Sequence, residues 1–128
     1  MTFLFDTHTL LWLLGSPEIL PERVQKIAED PSAKLVLSIV TPWEMAIKTA
    51  IGKLHAADIL DDFEAVALRG RFTILETSTR HVIHGGRLPL HHRDPFDRLL
   101  AAQALDLDIP LLSRDRVFDL YGVKRIWN

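Results

Sequence analysis

The chain of 128 residues contains no cysteine. This excludes a disulfide framework and a thiolate metal site, and it fits a reducing compartment. No segment approaches the roughly 18 to 20 consecutive apolar residues that a membrane-spanning helix needs. The opening stretch MTFLFDTHTLLWLLG is apolar, but Asp6 and His8 interrupt it and no basic region precedes it, so a signal peptide is not expected. A cytoplasmic location follows as the expectation. Excess charge of one sign is also missing. A formal net charge of −2 excludes binding to nucleic acid through bulk positive charge, so such a substrate would need local patches or a bound cation. Neither a Walker A nor a G-x-G-x-x-G sequence occurs, and Ser113 lacks the G-x-S-x-G context of an activated nucleophile. Repeats, low-complexity tracts and Gly/Ser linkers are absent too, so residues 1–128 read as one domain.

What remains is an ordinary globular composition, 48% hydrophobic and 25% charged, arranged in alternating patterns. TFLF (2–5), LVLSIV (35–40), FTILET (72–77), IPLLS (109–113) and VKRIW (123–127) are short apolar runs of the kind that form buried strands. Between them, helices are predicted over 7–15, from Pro21 to Asp30, over 41–52, 57–69, 78–84 and 95–107, with a short helical turn around 115–120. The helix over 78–84 is expected to stop at Gly85-Gly86. Strands alternating with helices imply right-handed βαβ units, hence a three-layer α/β/α domain with a central parallel sheet of four to five strands.

In such sheets, ligands gather at the carboxyl ends of strands. Asp6 ends the first strand, and Glu44 lies in the first turn of the helix after the second. Asp97 opens the helix leading to the fourth strand, and Asp115 follows that strand. Each acid also has a purely structural role available. Asp6 can cap a helix, Glu44 can pair with Lys48 four residues on, and Asp115 can serve a turn. In HRDPFDRLLAAQA, Asp94 suits the N-cap, Pro95 the first helical position and Asp97 the third. A shared location tips the reading: four like charges at one edge repel and call for a cation, and oxygen donors without cysteine suit Mg²⁺ or Mn²⁺.

The histidines His81, His84, His91 and His92 match no standard zinc spacing, and His81 and His84 are expected on a helix surface. His8, beside the strand-end acid, suits either packing or contact with RNA or a metal-bound water. Arg87, Arg93, Arg98 and Arg114, with Lys48 and Lys53, flank the same edge and suit either phosphate contacts or a solvated surface. Trp12, Trp43 and Phe96 sit in apolar patterns and are expected in the core.

Taken in order, FDTHTLLWLL, TPWEMAIKTAIGKL, HRDPFDRLLAAQA and LLSRD resemble the PIN-domain family, most closely its VapC-type ribonuclease toxins from bacterial toxin–antitoxin pairs. The resemblance covers nearly the whole chain. It implies a metal-binding and catalytic quartet at Asp6, Glu44, Asp97 and Asp115, with Asp94 as a possible extra acid. It also implies an endoribonuclease, dependent on Mg²⁺ or Mn²⁺, that hydrolyses RNA by in-line attack of water. On that reading His8, Lys48, Arg98 and Arg114 become candidate substrate contacts. The partners implied are an RNA substrate, a cognate antitoxin of the Phd/YefM kind, a second copy of the chain in a homodimer, and operator DNA only through the antitoxin. Two alternatives stand beside it. One is a catalytically weak PIN-like module acting through antitoxin and DNA complexes, against which the full acidic quartet argues. The other is a different Mg²⁺-dependent phosphohydrolase, disfavoured because the residue two after Asp6 is His8, not a second Asp.

Overall fold

Alternation within the run TFLF sets the layers of the molecule. In the computed structural model, which describes residues 1–128, this run forms β1 (Thr2–Phe5). Successive strand side chains point to opposite faces. Phe3 and Phe5 join one buried cluster with Leu35, Leu37 and Phe72, whereas Leu4 joins a second with Val36 and Leu111.

Four further strands complete the sheet: β2 (Lys34–Ser38), β3 (Phe72–Leu75), β4 (Leu111–Leu112) and β5 (Arg125–Ile126). All pairings are parallel and the spatial order is β3-β2-β1-β4-β5, with Leu4 opposite both Val36 and Leu111. The first face is covered by α1 (Thr7–Gly15), α2 (Glu22–Glu29), α3 (Val40–Ala50), α4 (Ala57–Asp61) and α5 (Phe63–Arg69), which contribute Leu10, Val24, Met45, Phe63 and Ala67. The second face is covered by α7 (Pro95–Leu107) through Leu100, Ala101 and Ala104, and α6 (Thr79–Arg87) packs on α7. The fold is therefore the expected α/β/α sandwich with five parallel strands.

Three expectations need correction. The helix over 57–69 breaks at Asp62, whose φ of −143° and ψ of 45° are not helical; the break re-aims the chain so that Phe63 and Ala67 reach the core. The glycine pair does not stop α6, which runs through it to Arg87. A Cβ on Gly85 would lie 2.9 Å from the Cα of Leu99, so this glycine serves the close approach of α6 to α7. The helix ends instead at Leu88, where the following Pro89 disfavours helical geometry. Finally, Trp43 is not a core residue: it is 59% exposed, with its ring against Phe96 at 4.9 Å.

Candidate active site

The strand order places a switch point between β1 and β4. From β1 the chain builds outward through β2 and β3, then crosses back to add β4 and β5 on the other side. The loops leaving β1 and β4 diverge there, opening a crevice at the carboxyl end of the sheet. Asp6 leaves β1 into this crevice and Asp115 leaves β4.

Helix capping and site-building prove to be the same act. Asp6 is the N-cap of α1, and its Oδ1 accepts from the Thr9 amide at 2.9 Å and the Thr9 hydroxyl at 2.6 Å. Asp94 caps α7 through Oδ1, which accepts from Phe96 N at 2.9 Å, leaving Oδ2 to meet Lys48 Nζ at 2.7 Å. Asp115 caps the 3₁₀ turn Arg116–Tyr121 through Oδ1, leaving Oδ2 to face His92. Asp97 stands in the first turn of α7. Four carboxylates are thus anchored at helix N-termini, where amide groups and the helix dipole favour negative charge.

Glu44 on α3 is buried; Thr7 Oγ1 donates to its Oε1, and Lys48 pairs with its Oε2. Lys48 therefore bridges Glu44 and Asp94. Burial opposes its charge, but the two carboxylates outweigh burial and raise its pKa. At Asp94, burial likewise works against ionisation, and the Lys48 ammonium overcomes it and holds the carboxyl below its usual range.

Asp97 is in the opposite position. Burial, then the neighbouring charges of Glu44, Asp94 and Asp6, push its carboxyl up to about 8, opposed only in part by Lys48. Asp6 is also raised, by burial, with the hydroxyls of Ser113 and Thr9 working the other way. At Asp97, then, three neighbouring carboxylates add to burial and Lys48 compensates only in part.

His92, whose spacing in the sequence suggests at most a zinc ligand, stands at the centre of the site. Its Nε2 lies 3.0 Å from Asp97 Oδ2 and 2.9 Å from Asp115 Oδ2. Its Nδ1 accepts from the Asp94 amide at 3.2 Å, which assigns the proton of the neutral ring to Nε2. His92 is thereby a donor that holds the two acids together; the hard oxygen donors are the set that suits Mg²⁺ or Mn²⁺. The facing atoms of His92, Asp97 and Asp115 all lie within 4.8 Å of one another, so the two carboxylates are close enough to share one cation. Thr7, Thr9 and Ser113, the last accepting from Asp115 N at 3.0 Å, are further site residues with no distinctive spacing in the sequence.

Among the candidate substrate contacts, His8 is exposed, with its ring 5.8 Å from that of Trp12, and Arg114 is exposed with its guanidinium 6.0 Å from the same indole. Lys48 is committed to the acids. Arg98 turns toward the 92–93 loop, donating from Nη1 to the carbonyls of His92 at 2.9 Å and Arg93 at 3.3 Å. His81, expected on a surface, is buried: Ser78 and His81 form a reciprocal capping box at the start of α6. His84 pairs with Asp106 at 2.9 Å, away from the acids.

The family model for the PIN domain matches residues 3–124. No curated protein sequence matches the chain. Solved structures with a similar fold include VapBC-1 from nontypeable Haemophilus influenzae, with a TM-score of 0.68 and 21% identity over 98% of this chain and 97% of that one. VapBC2 from Rickettsia felis, bound to a DNA fragment from its promoter, has a TM-score of 0.69 and 13% identity, with complete coverage of both chains. A toxin–antitoxin complex from Klebsiella pneumoniae has a TM-score of 0.64 and 18% identity over 96% of this chain and 94% of that one. With the PIN-domain family model spanning residues 3–124, nearly the whole chain, the chain belongs to the PIN-domain family.

Proposed function

We propose that this chain is the toxin of a toxin–antitoxin pair, an endoribonuclease dependent on Mg²⁺ or Mn²⁺ and built as one PIN domain over residues 1–128. The observation that carries this reading is Asp97, surrounded by Glu44, Asp94 and Asp6 and driven up to about 8. Burial is the first cause of that rise and the three neighbouring carboxylates add to it, a repulsion that a bound cation relieves; the oxygens of Asp97 and Asp115 that would hold it lie within 4.8 Å of each other. Asp6, Glu44, Asp97 and Asp115 are the proposed ligands, and Asp94 acts through Lys48. When bound, the ion supplies an activated water and charge stabilisation at phosphorus. Within the chain, Thr7 and Lys48 orient Glu44, Thr9 orients Asp6, and His92 holds Asp97 and Asp115 in one geometry. His8 and Arg114, exposed beside this centre, are the proposed RNA contacts, with Arg98 bracing the loop that carries His92.

The structural relatives that are toxin–antitoxin complexes, one of them bound to promoter DNA, support a cognate antitoxin as partner. An antitoxin of the Phd/YefM kind that covers the acidic edge and brings the complex to operator DNA is proposed on the resemblance to VapC-type toxins. A homodimer is proposed through α3 and the residues that flank it, where Ile39, Trp43, Ile47 and Ile51 recur every fourth position and are all exposed. No helix is long and apolar enough to cross a membrane, and a cytoplasmic site of action is proposed.

The test is direct. Purified chain is incubated with transfer, ribosomal and messenger RNA, with Mg²⁺, with Mn²⁺ and with EDTA. Cleavage restored by either ion and abolished by EDTA is expected. Undiminished cleavage in EDTA, or none under any condition from a chain freed of partner, would overturn the proposal.

A further inference from the structure

The largest concavity of the molecule is not the acidic crevice. It is a cleft of about 940 Å³ between the segment before α2 and the C-terminal strand, with Arg114, Arg116, Arg125 and Trp127 on its walls. Glu18 is the one acid there. Arg125 is spent on structure, pairing with Asp119 at 2.9 Å and donating to the Ser113 carbonyl at 3.1 Å. Arg114 and Arg116 are exposed and form no direct ion pair, although Glu18 lines the same cleft and the charge of Arg116 is felt at Asp119.

This cleft adjoins the acidic centre through chain neighbours, since Arg114 on its wall and Asp115 are consecutive residues. His8 lies two residues after Asp6. From His8 a line of rings runs toward the cleft, His8 to Trp12 at 5.8 Å and Trp12 to Trp127 at 5.7 Å. Interplanar angles of 44° and 54° keep these rings from stacking flat on one another. Both indoles are part-exposed; the Arg114 guanidinium stands over the Trp12 ring at 6.0 Å, so a base reaching Trp12 shares that ring with Arg114, whereas no cation stands over Trp127. Guanidinium groups that can fork onto phosphates, set beside aromatic rings that can receive bases, are the two parts of a platform for single-stranded nucleic acid.

We infer that the Arg114–Arg116–Trp127 cleft, with Trp12, is a flanking subsite for single-stranded RNA, holding the nucleotides on one side of the phosphodiester presented to Asp6, Asp97 and Asp115. The inference rests on the ribonuclease reading and adds the path of the substrate to it. Paired RNA is not accommodated, because its bases are already stacked on each other and leave no face for Trp12 or Trp127. Arg114 and Arg116 set affinity by neutralising phosphates. The indoles set which unpaired stretch is held.

The experiment separates the subsite from the chemistry. Binding of a fluorescein-labelled RNA of about twelve nucleotides is followed by anisotropy in EDTA, in an Asp97→Asn background, over a series of KCl concentrations. Adding Arg114→Gln and Arg116→Gln, both at exposed positions, should weaken binding roughly 10- to 100-fold at low salt. It should also flatten the slope of log K against log salt by about 1.4, at about 0.7 per phosphate contact on a single strand. In a Trp43→Phe variant the remaining indoles are Trp12 and Trp127, and RNA should quench their fluorescence while a matched duplex does not. An unchanged affinity and salt slope in the double variant, or no quenching, would overturn the subsite while leaving the ribonuclease reading intact. RNA binding as in the parent, combined with escape from neutralisation by the co-expressed antitoxin, would assign the cleft to a protein partner and overturn it equally. Failure of the parent to bind RNA, with no cleavage by wild type in Mg²⁺, would sink both readings.

Discussion

Replacing Asp97 by Asn should stabilise the metal-free protein and inactivate it. The carboxyl of Asp97 moves from an ordinary 3.8 to about 8 in the fold, because burial and the charges of Glu44, Asp94 and Asp6 all disfavour ionisation. A group with a raised folded pKa contributes stability that is fully present below the unfolded value. That stability is lost as pH rises through the window from about 4 to about 8. The whole interval is worth at most about 6 kcal/mol at about 1.36 kcal/mol per pH unit. The side chain is 20% exposed, and water and Lys48 soften the penalty, so about 2 kcal/mol between pH 5 and pH 8 is the expected loss. Asn has the shape of the protonated acid and never ionises, so the variant escapes this loss. In EDTA, its melting temperature should exceed that of wild type by roughly 6 to 8 °C more at pH 8 than at pH 5 for a domain of this size. Added Mg²⁺ reverses the order, since wild type gains about 2.7 kcal/mol at a hundred times its Kd and the variant gains little. Single-turnover cleavage should fall by roughly two orders of magnitude or more, the scale of losing one strong transition-state stabiliser. Differential scanning fluorimetry at the two pH values, with EDTA or Mg²⁺, reads the first effects, and gel-based RNA cleavage reads the last. A variant that tracks wild type from pH 5 to pH 8 in EDTA, or that cleaves like wild type, refutes the reasoning.

Asp94→Asn keeps the cap on Phe96 N but gives up the charge-assisted bond to Lys48, so it should cost about 1 kcal/mol, and Asp94→Ala about 2 kcal/mol; equal costs in urea melts would dismiss the cap. Because Asp94 is held below its usual range, the stability it supplies is present above its unfolded value of 3.8 and disappears as pH falls further, so the gap between wild type and Asp94→Asn should close in acid melts. Gly85→Ala drives a methyl group to 2.9 Å from the Leu99 Cα and should lower stability by about 2 kcal/mol. Gly86→Ala, with nothing within 4 Å, should raise it by up to about 1 kcal/mol; thermal melts that rank the two the other way would refute the close-packing role of Gly85.

The readings that held in the sequence were local ones. Asp94-Pro95 announces α7 because the cap, the proline and the dipole act within one turn, and the helix indeed runs Pro95–Leu107. TFLF stops at Asp6 because a carboxylate ends a buried strand, and strand–helix alternation implies a parallel sheet whatever the partners of each strand. The four motifs carried the family by their residues and order alone, and the family model over residues 3–124 agrees. Where local rules competed, they misled. The glycine pair read as a stop, but the packing of Leu99 outweighs the intrinsic cost of glycine in a helix; Trp43 read as core, but its helix offers another face to the sheet. Only the tertiary structure could decide that β1 lies between β2 and β4, since strand order depends on which connection crosses back. From that order follows everything that spans the chain. Thr7 meets Glu44, Lys48 meets Asp94, and His92 stands between Asp97 and Asp115, contacts over separations at which no sequence period operates. The charge of Asp97 is likewise a tertiary property, because an isolated carboxyl has no burial and no neighbours to oppose its ionisation.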